Sequence, residues 1–195
     1  MKNKLQDLND AELVALAMDG DISAFEEIYD RYAPGIAKTL ASFSGPDRDL
    51  IDDLTQDVFF RVIKGLPSFV PSHPFAHWLY TIALNVGRNH VRRRQRVILL
   101  DANEMDNFSD HYHPIMDLSE KAMADEIFRL ISHLPEHLLS VVSLRIGSGM
   151  SYGEISEVLE IPEGTARSRM HYALRKLRTK IGLQAPKGQT KEEER

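Results

Sequence analysis

Residues 151–181 read SYGEISEVLEIPEGTARSRMHYALRKLRTKI, and this stretch decides the fold. Ser151-Tyr152-Gly153-Glu154 has the form of a capping box. The Ser151 hydroxyl accepts a backbone N–H at the start of a helix, and the Glu154 carboxylate returns a bond to the Ser151 N–H. That helix is short and ends at Leu159-Glu160. Ile161-Pro162-Glu163-Gly164-Thr165 then turns the chain into a second helix, whose Ala166, Met170, Ala173, Leu174, Leu177 and Ile181 form one apolar stripe. Arg167, Ser168, His171, Arg175 and Arg178 fall on the opposite side. Two short helices with a tight turn, the second one basic, make a helix-turn-helix. Such a helix can enter a major groove, where an arginine fork reads guanine edges. Its N-terminal residues go deepest, so Arg167, Ser168 and His171 are the candidate base readers, while Arg169, Arg175, Lys176 and Arg178 suit phosphates. An amphipathic helix with a merely solvated basic face is the plain alternative, and the capping box, the short preceding helix and the turn together outweigh it. Glu160 stands where many such turns carry glycine. A non-glycine residue at positive φ costs roughly 1 kcal/mol, which leaves the geometry of this turn open.

Upstream the helical period continues, and no strict apolar alternation outlasts a few residues, so the fold class is all-α. Helices are expected at about 119–133, with Met123, Ile127, Leu130 and Ile131 inward, and at about 135–146. Residues 97–118 lose periodicity and gain Asp, Asn, His and a Pro, which reads as an acidic linker. Residues 75 to about 96 form a long helix with Phe75, Leu79, Ile82 and Val86 facing inward. Residues 65–74 contain one Gly, three Pro and two Ser and read as a loop. Pro46 is placed to open a helix in which Leu50, Leu54, Val58 and Val62 recur. Asp21 can cap another, with Phe25, Ile28, Tyr29 and Tyr32 at core spacing. Pro34 is expected to kink or interrupt it, although Ile36, Leu40 and Phe43 continue the pattern. A first helix starts near Asn9-Asp10, turns Leu13, Leu16 and Ala17 to one face, and stops at Gly20. The expected architecture is two small helical domains, residues 1–97 and 119–184, joined by a flexible linker at 98–118. The C-terminal domain is the helix-turn-helix, and residues 185–195 form a disordered tail.

The helix at 75–96 carries a second, unusual face. Trp78, Thr81, Asn85, Arg88 and Arg92 follow one another at helical spacing, with Asn89 alongside. An aromatic ring can stack on an unpaired base, amides can bond base edges, and arginines can hold the backbone. The preceding loop is long enough to pocket a base taken out of the stack. Burial is the competing account of Trp78, and a solvated helix end favoured by the helix dipole is the competing account of the arginines. Gly87, mid-helix, costs about 0.5–1 kcal/mol relative to Ala and hints at close approach of another chain at that point. On the helix at 47–63, Asp52, Asp53, Gln56, Asp57, Arg61 and Lys64 lie opposite the apolar stripe. Taken alone they form an ordinary solvated face.

The chain has 195 residues, 43% of them hydrophobic and 27% charged, with a net charge of −5, so disorder throughout is excluded. No apolar run approaches the ~18–20 residues that cross a bilayer, the N-terminus lacks a signal core, and a cytoplasmic protein is expected. The absence of cysteine removes disulfides, thiolate metal sites and a cysteine nucleophile. Charge is unevenly spread: residues 1–60 are net −8, 88–96 net +5, 101–126 net −7 and 162–182 net +5. Two basic islands in an acidic chain suggest two separate polyanion contacts.

Three segments carry a family resemblance: Asp53-Leu54-Thr55-Gln56-Asp57-Val58-Phe59, then Phe75-Ala76-His77-Trp78-Leu79-Tyr80-Thr81-Ile82-Ala83-Leu84-Asn85, then Pro162-Glu163-Gly164-Thr165-Ala166-Arg167-Ser168-Arg169. In this order, the sequence resembles the extracytoplasmic-function (ECF) bacterial RNA polymerase sigma factors over residues 9–96 and 119–183. The resemblance implies an alternative sigma factor of transcription initiation and stress response, with residues 1–97 as region two and 119–184 as region four. It gives the face of Asp53, Gln56, Asp57 and Phe59 a partner, the clamp helices of core RNA polymerase. It implies that Asn85 and the loop at 65–74 melt the downstream promoter element. Arg167, Ser168, His171 and Tyr172 would read the upstream element in promoter DNA. A dedicated anti-sigma factor is an implied further partner. No cofactor is implied.

Two other classes compete. His133-Leu134-Pro135-Glu136-His137 formally matches the H-x-x-E-H zinc-protease signature. That chemistry needs both histidines on one continuous helix, and Pro135 is expected to start a new helix, so no enzyme is expected. His111 and His113 offer only two metal ligands, too few for a closed site. A conventional helix-turn-helix regulator would bind duplex DNA by itself, usually as a dimer, and would not need the face through Trp78 and Asn85.

Overall fold

Four of the helices begin where a short polar side chain, Asn9, Asp21, Asp47 or Ser151, accepts a backbone N–H that would otherwise be unpaired, and two others begin at Pro135 and Pro162 without such a bond. The computed structural model describes residues 5–70, 74–101 and 120–181. α1 (Asp10–Met18) opens with a capping box, in which Asn9 accepts from Glu12 N and Glu12 accepts from Asn9 N. Asp21 caps α2 (Ile22–Ser44) and Asp47 caps α3 (Arg48–Gly65), so Pro46 precedes the cap rather than opening the helix. A 3-10 turn (Leu66–Ser68) follows, then α4 (Phe75–Asp101), α5 (Glu120–Ser132), α6 (Glu136–Gly147), α7 (Tyr152–Leu159) and α8 (Glu163–Lys180). No strand occurs among the described residues.

Two further features differ from expectation. α2 runs unbroken through Pro34. The cost of an interior proline, about 3 kcal/mol, is offset by burial on both sides of it: Ile28, Ile36, Leu40 and Phe43 are all at most 1% exposed. α4 continues to Asp101, past the expected start of the linker, because Val97-Ile98-Leu99-Leu100 contains neither Gly nor Pro to stop it. The rest of the expected linker, with His111 and His113, and the tail from 185 onward lie outside the described residues.

α2 is the central helix. Arg31 and Tyr32 on it both hydrogen-bond Asp10 and so tie α1 in place. Gly87 of α4 accommodates the ring of Phe43, since a Cβ there would stand 2.6 Å from two ring carbons. The close approach expected at Gly87 is therefore made by α2 of the same chain. On its other side α2 packs against α6, where Gly35 and Gly147 meet. A Cβ on Gly147 would lie 2.7 Å from the Gly35 carbonyl and 2.8 Å from Thr39 N. Thr39 and Ser42 of α2 and Ser140 and Ser143 of α6 are buried along this crossing. Each hydroxyl donates to a carbonyl of its own helix, which satisfies it without a partner across the seam. One continuous apolar cluster thus runs from Leu13 and Ile28 to Leu144, Ile155 and Ala173.

Pro135 starts α6 and leaves His133 in the turn after α5, so the two histidines of the protease-like motif never share a helix. Among the described residues no group of three or more His, Asp or Glu could hold a metal ion, and no helix is long and apolar enough to cross a membrane.

Candidate nucleic-acid interface

The helix-turn-helix is built as its sequence requires. Ser151 N and Oγ stand 2.8 and 2.7 Å from Glu154 Oε2, and Glu154 N donates to Ser151 Oγ at 3.3 Å. The Ser151 side chain, then its backbone N–H, holds the Glu154 carboxyl below its ordinary range, with smaller help from His77 and Arg145. Glu160 takes the left-handed conformation (φ 52, ψ 46) and is the one non-glycine residue at positive φ among the described residues. Ile161 N caps the Ser156 carbonyl at 3.0 Å. Ile155, Ala166 and Ala173 lock α7, α8 and α6 together at zero exposure.

α8 presents Arg167, Ser168, His171, Tyr172, Arg175 and Arg178 to solvent. Leu174, expected in the stripe, is 40% exposed, because it lies one residue round from the buried line through Ala166, Ala173 and Leu177. Arg167 donates from Nε (3.1 Å) and Nη2 (2.5 Å) to Glu163 Oε1, and its guanidinium lies 5.0 Å from the Tyr152 ring centroid. Arg175 sits 4.7 Å over the Tyr172 ring, which makes an edge contact with His171. Arg169 is half-buried and acts electrostatically on Arg88 of α4, apart from the exposed row.

A second polar row lies on α4. Thr81, Asn85 and Asn89 are exposed at intervals of four residues, and Arg92 continues them. Trp78 is half-buried in an aromatic cluster, 5.0 Å from Phe69 and 5.7 Å from Phe75, with Gly65 leaving room for its ring. It serves the core and also reaches the surface. Arg88 and Arg92 turn toward α6. Arg88 donates to Ser140 Oγ from Nη2 (3.1 Å) and Nε (3.3 Å), and Arg92 Nη2 lies 3.1 Å from Glu136 Oε1. Burial pulls the Arg88 guanidinium below its ordinary range, and Glu136 pushes back. Sequence reasoning missed Glu136 and Ser140, because no spacing rule links residues 44 and 52 positions from their partners.

The expected residues of α3 differ in exposure. Asp53 and Gln56 are exposed, and Asp57 forms a two-bond ion pair with Arg61 at 2.9 Å. Phe59, however, is 4% exposed and packs on Phe25 and Tyr29 beneath the surface. The exposed apolar side chains are Phe60 (56%) and Ile63 (53%), with Lys64 Nζ 4.1 Å from the Phe60 centroid. Phe60 and Ile63 line a shallow groove of about 500 Å³ together with Phe25, Tyr29, Gln56, Asp57 and the largely buried Phe59. The spacing 56, 60, 63 is a helical face and was available to sequence reading.

One helical scaffold thus carries two exposed polar rows, on α4 and α8, and a groove on α3. Residues 28–97 match Sigma-70 region 2 and residues 130–179 match Sigma-70 region 4. The chain is 30% identical over 185 residues to the ECF RNA polymerase sigma-E factor of Haemophilus influenzae, covering 90% of this chain and 97% of that relative. It is 31% identical to the sigma-E factor of Escherichia coli, covering 90% and 96%. Its fold is similar to that of CnrH in complex with the cytosolic domain of CnrY, with a TM-score of 0.66, 27% identity, and 90% and 99% coverage. It is also similar in fold to RpoE of Bartonella quintana bound to the anti-sigma factor NepR, with a TM-score of 0.63, 20% identity, and 84% and 100% coverage. The protein is a sigma factor. It belongs to the ECF family of RNA polymerase sigma factors.

Proposed function

We propose that this chain joins core RNA polymerase and directs promoter recognition and opening, with one surface for each task. α8 reads the upstream element as duplex through Arg167, Ser168, His171 and Tyr172, while Arg175 and Arg178 hold phosphates. The row Thr81, Asn85 and Asn89, with Trp78 behind it, holds bases of the parted downstream element. Arg88 and Arg92 reach that strand after releasing Glu136. Asp53, Gln56 and Asp57, with Phe60 and Ile63, form the face for the clamp helices of the polymerase, a polar rim around an exposed apolar centre. Phe59 supports that face from below.

The observation that carries this reading is the separation of two exposed polar rows, on α4 and on α8, of which only the second suits an intact major groove. A conventional helix-turn-helix regulator has no use for the first. Such a factor works where the polymerase is, in the cytoplasm. Because the similar CnrH is seen with the cytosolic domain of CnrY, and RpoE of Bartonella quintana with the anti-sigma factor NepR, an anti-sigma partner belongs to the same reading. Transcription in vitro with core polymerase on a genomic template library tests it. Specific start sites that need both polymerase and this chain are expected. A chain that fails to join the polymerase, or joins it without ever opening DNA, overturns it.

A further inference from the structure

Arg167 is the deepest base-reading candidate on α8, yet it does not project freely. Its Nε and Nη2 both donate to Glu163 Oε1, one turn earlier on the helix, and its guanidinium stacks on Tyr152, which comes from α7. Tyr152 is itself held. Arg145 lies 5.5 Å from the same ring, and its Nη1 donates to the Met150 carbonyl at 2.5 Å and the Gly149 carbonyl at 3.3 Å. The ring thus has two guanidiniums near it, one of them bonded to the turn that leads into α7.

We propose that Tyr152 and Glu163 are positioning residues for upstream-element reading, holding Arg167 as a selective reader rather than a free cation. This rests on the reading of Arg167 as a base contact. The aromatic face fixes the plane of the guanidinium and the carboxylate fixes its direction, so less side-chain freedom is lost when DNA binds. Glu163 also acts as a competitor. A lone arginine is attracted to any phosphate whatever the sequence. With Glu163 engaged, Arg167 gives up its carboxylate readily only to a site with two well-placed acceptors, such as guanine O6 and N7, and pays a penalty elsewhere. Stability does not account for the arrangement. The Arg167 and Glu163 side chains are 62% and 46% exposed, and an exposed pair of this kind contributes little to folding.

The test uses the full chain with core polymerase on templates that differ at single upstream base pairs, scoring the occupancy ratio of best to worst base. R167A tests the underlying assignment and should collapse the ratio at one position by roughly 5- to 150-fold, the range of a lost bidentate contact. R178A should lower all templates alike. At the Arg167 position, E163Q should reduce the ratio about 5-fold, mainly by raising occupancy of the poor templates, which exposes the charge that Glu163 masks. Y152L should reduce it similarly and Y152F should restore it, because the ring rather than the hydroxyl faces Arg167. If R167A collapses one position while E163Q and Y152L leave its ratio unchanged, the positioning role is wrong. If R167A collapses none, the base-reader assignment has failed first. Should Y152L fold poorly, the exposed E163Q decides alone.

Discussion

The Glu136 carboxylate stands between Arg88 and Arg92, with Oε1 3.5 Å from Nε of the first and 3.1 Å from Nη2 of the second. It comes from the first turn of α6, while both arginines belong to α4, so a region-four carboxylate occupies the space between two region-two guanidiniums. DNA that used these arginines would compete with it. E136Q removes the competing charge without changing shape. The pair is half-exposed, worth at most about 1 kcal/mol, so binding of a single-stranded downstream-element oligonucleotide by the free chain should tighten by up to about 5-fold. Fluorescence anisotropy at fixed salt measures this, and unchanged affinity would mean that Glu136 does not compete.

The glycines predict opposite outcomes for one chemical change. G147A puts a methyl group against the Gly35 carbonyl and Thr39, and should cost roughly 1–3 kcal/mol as overpacking. G164A, in the first turn of α8 with nothing within 4 Å of its added Cβ, should gain up to about 1 kcal/mol from a stiffer unfolded chain. Thermal unfolding of the two variants beside the parent checks both signs.

Asn85 is exposed in the middle of the α4 row and makes none of the seam contacts. N85A should leave closed promoter complexes intact while permanganate reactivity of the downstream strand falls. Equal loss of both would remove Asn85 from the melting step.

His90 gives the pH dependence. Burial first, then Arg94 and Arg93, lowers its pKa, against a weaker opposite pull from Asp47. A histidine that is harder to protonate in the folded chain leaves the unfolded chain binding more protons. Its contribution is therefore neutral well above the ordinary value of 6.5 and destabilising as the pH falls through it. Urea unfolding at pH 7.5 and 5.5 should show a loss on acidification that shrinks in H90N. An undiminished loss would assign the effect to other groups.

Helix starts were the most legible part of the chain, because capping is local chemistry. Ser151 and Glu154 lie three residues apart and need nothing else. The α8 row was legible for the same reason, whereas the geometry at Glu160 stayed open in the sequence and only the fold sets that residue at φ 52. At Pro34 the expected interruption does not occur, because the proline's penalty is local, whereas the burial of Ile36, Leu40 and Phe43 that offsets it is tertiary. Phe59 and Phe60 are adjacent, and the helical spacing that sets Phe60 with Gln56 and Ile63, opposite the buried Val58 and Val62, separates them from sequence alone. Glu136 was invisible because its role depends on how α6 meets α4, which neither segment encodes alone.

Backbone contact at Gly35 and Gly147 makes the α2–α6 crossing a fit with a single setting. Sliding either helix by a turn would drive Thr39 or Leu144 into the space that only hydrogen atoms now occupy. Such a crossing has no graded positions on either side of it, so anything that parted α2 from α6 would do so as a latch releases rather than as a spring stretches.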